Sequence, residues 1–81
     1  MVAMDNYNIL SKQLNFDVES AMRFFNRSFI EKNEDIPHII DMAPTRSKRF
    51  LCIKTIDNRV YIIDEVSILE TEEFEAAIRE Y

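Results

Sequence analysis

Cys52 and His38 are the single cysteine and single histidine of this 81-residue chain, and Asp41 lies close to His38 in sequence. Together they are the one set from which a thiolate nucleophile, its base and an orienting carboxylate can be assembled. The residue types fit that chemistry, but the local sequence does not. A reactive thiolate needs polar, electropositive and accessible surroundings, whereas Cys52 stands between Leu51 and Ile53 in an apolar run. The expectation is a packed core cysteine beside an edge-strand histidine, so an enzyme built on a Cys/His pair ranks third among the functions considered and the chain is read as non-catalytic. One histidine and one cysteine do not make a soft-ligand set, so no metal is expected. The sequence contains no glycine, which excludes the usual phosphate-cradling and dinucleotide fingerprints, and no cofactor or small-molecule substrate is indicated.

Two charged groups remain. Glu70, Glu72, Glu73, Glu75 and Glu80 crowd the C-terminal segment, where from Asp64 onward seven acids face one base, Arg79. A glutamate-rich helix start is ordinarily a solvated face; its functional reading is an acidic surface that docks on a basic partner. The second group is the loop Arg46, Ser47, Lys48 and Arg49, with Lys54 and Arg59 following along the chain. These cations suit weak, salt-sensitive phosphate contact, but they come with no aromatic stacking platform and no base-reading pattern. The net charge of −5 further disfavours general nucleic-acid or anionic-membrane binding.

The element that must position these residues is a β-hairpin. Phe50, Leu51, Cys52, Ile53 and Ile56 precede an Asp57-Asn58 turn, and Val60, Tyr61, Ile62 and Ile63 follow it. A two-residue loop at Asp57 and Asn58 pairs Ile56 with Arg59, Thr55 with Val60, Ile53 with Ile62 and Leu51 with Asp64. One face then carries Leu51, Ile53, Val60 and Ile62. The other carries Phe50, Cys52, Ile56, Tyr61 and Ile63, with Lys54 and Arg59 near the turn.

Around the hairpin, a short helix is expected from about Asn6 to Leu14 with Asp5 as its N-cap. A stronger helix follows from Asp17 to about Lys32, because Val18, Ala21, Met22, Phe25 and Phe29 recur at helical spacing. Ile36 to Met42, opened by Pro37, reads as a short edge strand. Beyond Ile63 the signals conflict, since Ser67 with Glu70 resembles a capping box while Val66 to Leu69 also suits a strand. The favoured reading is a helix capped by Thr71, with Phe74, Ala77, Ile78 and Tyr81 on one face.

The resulting expectation is one α+β domain over residues 1–81: two N-terminal helices, a small antiparallel sheet of one strand plus the hairpin, and a C-terminal helix. The helices are expected to cover the Leu51, Ile53, Val60, Ile62 face, leaving Phe50, Tyr61 and Ile63 as a partner or dimer surface. No segment approaches a membrane span, and the first residues lack a signal-peptide pattern, so the expected compartment is the cytoplasm; Met4 is a second candidate for the natural start. The leading function is a small acidic module that regulates or inhibits a protein partner by binding it, with self-association as a homodimer the simplest variant. A weak nucleic-acid-binding regulator using Arg46, Lys48 and Arg49 is second.

Overall fold

The computed structural model describes residues 2–81. In chain order it contains α1 (Val2–Gln13), α2 (Val18–Glu31), β1 (Ile39–Pro44), β2 (Leu51–Thr55), β3 (Val60–Ile63), β4 (Ile68–Thr71) and α3 (Phe74–Glu80). The four strands form a single antiparallel sheet in the order β1-β2-β3-β4. The class is therefore α+β, with two N-terminal helices and one C-terminal helix.

α2 forms where its apolar spacing places it. Val18, Ala21, Met22 and Phe25 are buried, and Asp17, in extended conformation, accepts the Ser20 N–H at 3.2 Å as N-cap. The helix ends without glycine: Asn33 takes the left-handed conformation at φ 60°, and the Glu34 N–H donates back to the Phe29 carbonyl at 2.9 Å. α1 begins before Asp5, which is inside the helix rather than its cap. It is tied to α2 by the Ser11 hydroxyl, which accepts the Val18 N–H at 2.9 Å.

The hairpin forms from the expected residues around a different loop. Asn58 N–H donates to the Thr55 carbonyl at 3.0 Å and Thr55 N–H donates to the Arg59 carbonyl at 2.9 Å, so the loop is Ile56, Asp57 and Asn58. Asn58 alone has positive φ, at 70°. This is the physical reason for the change: a three-residue loop of this kind needs one left-handed residue, whereas a type I′ loop needs two. The Thr55 side chain braces the turn, donating to the Asp57 carboxylate and accepting the Arg59 N–H.

That single extra loop residue corrects the register. Ile53 pairs with Tyr61, Leu51 with Ile63 and Cys52 with Ile62. A one-residue slip moves every β3 side chain to the opposite face. Leu51, Ile53, Tyr61 and Ile63 accordingly form one core with Leu14, Val18, Ala21, Met22 and Phe25. Cys52, Val60 and Ile62 form a second core with Ala77, flanked by Phe50, Phe74, Ile78 and Tyr81. Both faces are covered within the chain, one by α1 and α2 and the other by α3, which corrects the expectation of a single covered face.

Two boundaries also differ from expectation. β1 starts at Ile39, leaving Pro37 and His38 ahead of it, and runs on to Pro44. Of the two readings of Val66 to Leu69 the strand holds, as β4, and the last helix is capped by Glu73 rather than by Thr71. The Ser67 hydroxyl donates to Asp64 Oδ1 at 2.8 Å in a tight turn, so it is not capping a helix; Thr71 closes β4, and α3 begins only after Glu73.

Candidate protein-interaction surface

The Cys/His arrangement is not assembled. The His38 carbonyl accepts the Ile56 N–H at 2.8 Å, which puts His38 beside the hairpin loop, while Cys52 pairs with Ala43. Four positions along β2 separate Ile56 from Cys52, about 13 Å at roughly 3.3 Å per residue. Cys52 is buried under α3, with its thiol donating to the Phe74 carbonyl at 3.8 Å. Burial, and then the charge of Asp41, push its pKa up to about 11, the opposite of what a nucleophile requires.

The surface expected from Phe50, Tyr61 and Ile63 is also corrected. Tyr61 and Ile63 lie in the core beneath α2, at 5% and 0% exposure, and half-buried Phe50 packs edge-on to Tyr81 on the other side of the sheet. These residues neither share a face nor reach solvent together, because the register places the β3 pair on the α2 side.

The cations divide between the two ends of the sheet. Arg46, Lys48 and Arg49 are exposed in the β1–β2 loop. That loop is internally bonded, with Lys48 at φ 62° and its N–H donating to the Thr45 carbonyl at 2.9 Å. Its Arg46 N–H donates to the Ile78 carbonyl at 2.8 Å, so the loop closes the C-terminal end of α3. Arg59 sits at the opposite end, 3.6 Å from the Asp57 carboxylate and 4.0 Å from that of Glu70. The Tyr61 hydroxyl, and then these two carboxylates, hold its pKa above the ordinary guanidinium value. Lys54 is half-buried and pairs with Asp41 in the β1–β2 register. The five cations of the sequence's basic group are thus not one patch.

The glutamates are all exposed but are also not one patch. Glu70 is on β4, on the α2 side opposite Tyr61; Glu72, Glu73 and Glu75 gather where β4 turns into α3; Glu80 is at the far end of that helix. Among the described residues the ion pairs are Glu19–Arg23, Asp57–Arg59 and Glu70–Arg59, so the α3 glutamates make none.

What the sequence reading missed lies among these carboxylates. Val66, next to Glu65 in the β3–β4 turn, is 80% exposed, and Leu69, on the α3 side of β4, is 50% exposed; Glu70 faces the other side of the sheet and Glu72 follows the end of the strand. The signal was present as apolar residues within an acidic run, but exposure could not be read before β4 was recognised as an edge.

The two sheet edges differ in what they present. On β1, the Thr45 N–H donates to the Phe50 carbonyl at 3.0 Å in the β1–β2 register. Bonded pairs alternate along an antiparallel ladder, so Asp41 and Ala43 bond to β2 while Met42 and Pro44 face outward. The Met42 N–H is taken by the Asp41 carboxylate at 3.0 Å, Pro44 has no N–H, and a register shift interrupts the strand between Ile39 and Asp41. Proline, a bulge and a self-capped donor are the usual means by which an edge is closed. On β4, the Asp64 N–H donates to the Ser67 carbonyl at 3.1 Å in the β3–β4 register. By the same alternation Leu69 and Thr71 bond to β3, and Ile68 and Glu70 point their N–H and C=O groups outward. β4 has no proline and its pairing with β3 runs without a register shift.

An open groove of about 540 Å³ between α1 and β1, lined by Tyr7, Ile9, Leu10, Ile39, Ile40, Asp41 and Met42, lies beside the closed edge. No helix among the described residues is long and apolar enough to cross a membrane. Comparison of the chain with protein-family models, with curated proteins and with solved structures found no match.

Proposed function

We propose that this protein is a small acidic, non-catalytic module that regulates a protein partner by binding it, through the surface where β4 meets the start of α3. The observation that carries this reading is Leu69, half exposed on the α3 side of the edge strand β4, in the stretch that leads through Glu72 and Glu73 into α3. An exposed apolar residue on a sheet edge beside carboxylates suits contact with a protein, and the two sheet faces are already occupied by the chain's own helices. The carboxylates favour a basic partner surface, and they act mainly by raising the association rate and rejecting acidic competitors. The basic loop is the weaker alternative, because its backbone closes α3 and its cations are separated from Arg59 by the length of the sheet.

The test is capture of interacting proteins from the native host on the wild-type protein and on a Glu72→Lys, Glu73→Lys, Glu75→Lys variant. A specific partner is expected to bind the wild type, to dissociate as salt is raised, and to be lost from the variant. A partner retained equally by both, with no salt dependence, removes the acidic surface from consideration.

A further inference from the structure

Resting on that reading, we infer that the outer edge of β4 is a strand-addition site whose occupant is an extended basic segment of the partner, joining the sheet as a fifth, antiparallel strand. The Ile68 and Glu70 N–H and C=O groups point away from β3, as the bonding alternation fixed by Asp64 and Ser67 requires. Four backbone groups therefore stand ready for two bonded residue pairs. β1 cannot serve in the same way, because the Asp41 carboxylate and Pro44 have removed its outward donors over Met42–Pro44.

Strand geometry then specifies the side chains of the occupant. Ile68 and Glu70 share the α2 side of the sheet, and Leu69 projects on the α3 side, in line with Ile62. Glu70, which Arg59 approaches only to 4.0 Å while lying nearer Asp57, is complementary to a lysine or arginine opposite it; residues opposite Leu69 and Ile68 are complementary as apolar types. In an antiparallel strand read from its N-terminus, this is cation, apolar, apolar. Two positions earlier the segment passes Glu72, just beyond the end of β4, where a second cation is again complementary, giving the pattern cation-x-cation-apolar-apolar. Charge complementarity selects this occupant over a second copy of the chain, because a second β4 paired antiparallel sets Ile68 opposite Glu70 and supplies no cation to this edge of a protein of net charge −5.

The probe is an end-blocked peptide, lysine-threonine-lysine-valine-valine-threonine, added at millimolar concentration to the full chain and followed by amide NMR and hydrogen exchange. Exchange of the Ile68 and Glu70 amides is expected to slow several-fold, with shift changes concentrated on β4. The same peptide N-methylated on the residues facing Ile68 and Glu70 should give no protection. Glu70→Pro removes an outward N–H without touching a β3 bond and should abolish the response, while Glu70→Gln should weaken it only several-fold. Equal responses from the methylated peptide, or from Glu70→Pro, would mean that charge alone is read and would overturn the inference. Absence of any β4 response at the highest soluble peptide concentration overturns it as well. Protection of both amides without peptide that disappears on dilution would make the occupant a second copy, and the inference falls. Should Glu70→Pro not fold, the methylated peptide on the wild type decides alone. Failure here is separable from failure of the functional reading: a captured partner lost from the Glu72, Glu73, Glu75 charge reversal but unaffected by Glu70→Pro keeps the acidic surface and discards the strand.

Discussion

Ile53 stands directly across from Tyr61 in the β2–β3 ladder, and both side chains face Phe25 of α2. Phe25 meets Tyr61 edge-on at 5.2 Å between ring centroids and Phe29 at 5.0 Å, so three rings and one isoleucine join the second helix to the middle of the sheet. Phe25→Ala is expected to cost about 3–5 kcal/mol of unfolding free energy, a large share of the roughly 5–15 kcal/mol typical of a domain. Urea denaturation followed by far-UV circular dichroism measures it; a loss below about 1 kcal/mol would show that this cluster is not central.

Asn58 is the hinge of the register. With φ at 70° it occupies a region that costs a residue with a Cβ about 1–2 kcal/mol. Asn58→Gly is expected to hold or raise the melting temperature, and Asn58→Val to lower stability by about 1–2 kcal/mol. A valine variant as stable as the wild type would mean that the loop readily adopts another form.

For Cys52, burial predicts inertness. Thiol reagents at pH 8 should label it only as fast as the fold opens, and labelling should become rapid in denaturant. Because its pKa is pushed from 9.0 to about 11 in the folded chain, the unfolded chain ionises first. The contribution to stability is fully present below pH 9 and is lost as pH rises toward 11. Chemical denaturation across that window should show a steeper decline for the wild type than for Cys52→Ala; identical slopes would contradict the assignment.

The cap of α2 gives the opposite sign at low pH. The Ser20 hydroxyl is the main reason the Asp17 carboxyl lies below its usual value of 3.8, with the Ser20 backbone N–H and the Arg23 charge adding to it. Its contribution is therefore present above the unfolded pKa and disappears as pH falls through the lowered folded value. Asp17→Asn should retain most of the cap while losing that acid dependence, and Asp17→Ala should lower the melting temperature at neutral pH. Thermal melts from pH 7 down to 2 distinguish the three proteins.

The α+β class, the second helix and the hairpin strands were legible in the residues because each rests on local pattern. Val18 to Phe29 repeat at 3.6 residues, Asp17 is a good N-cap, and the β-branched runs flank an Asp-Asn pair. The register was not legible, since loops of two and three residues use the same letters and differ only in how many left-handed positions they demand. β4 was legible only as one of two readings, because Ser67 with Glu70 also matched a capping pattern although its hydroxyl is bonded to Asp64. The geometry of the candidate surface was hidden for a deeper reason. Whether Phe50, Tyr61 and Ile63 share a face, and whether the Ile68 and Glu70 amides point outward, are matters of parity in the ladder, and parity follows from a loop length that composition does not set.

The inequality of the two edges also fixes valency. With β1 sealed by the Asp41 carboxylate, the interrupted register and Pro44, this sheet can be extended from the β4 side alone. A strand-swapping partner would find one socket per chain, so complexes formed this way stop at one-to-one stoichiometry and cannot propagate head-to-tail into fibres. On the proposed reading, each molecule would then engage one strand and no more.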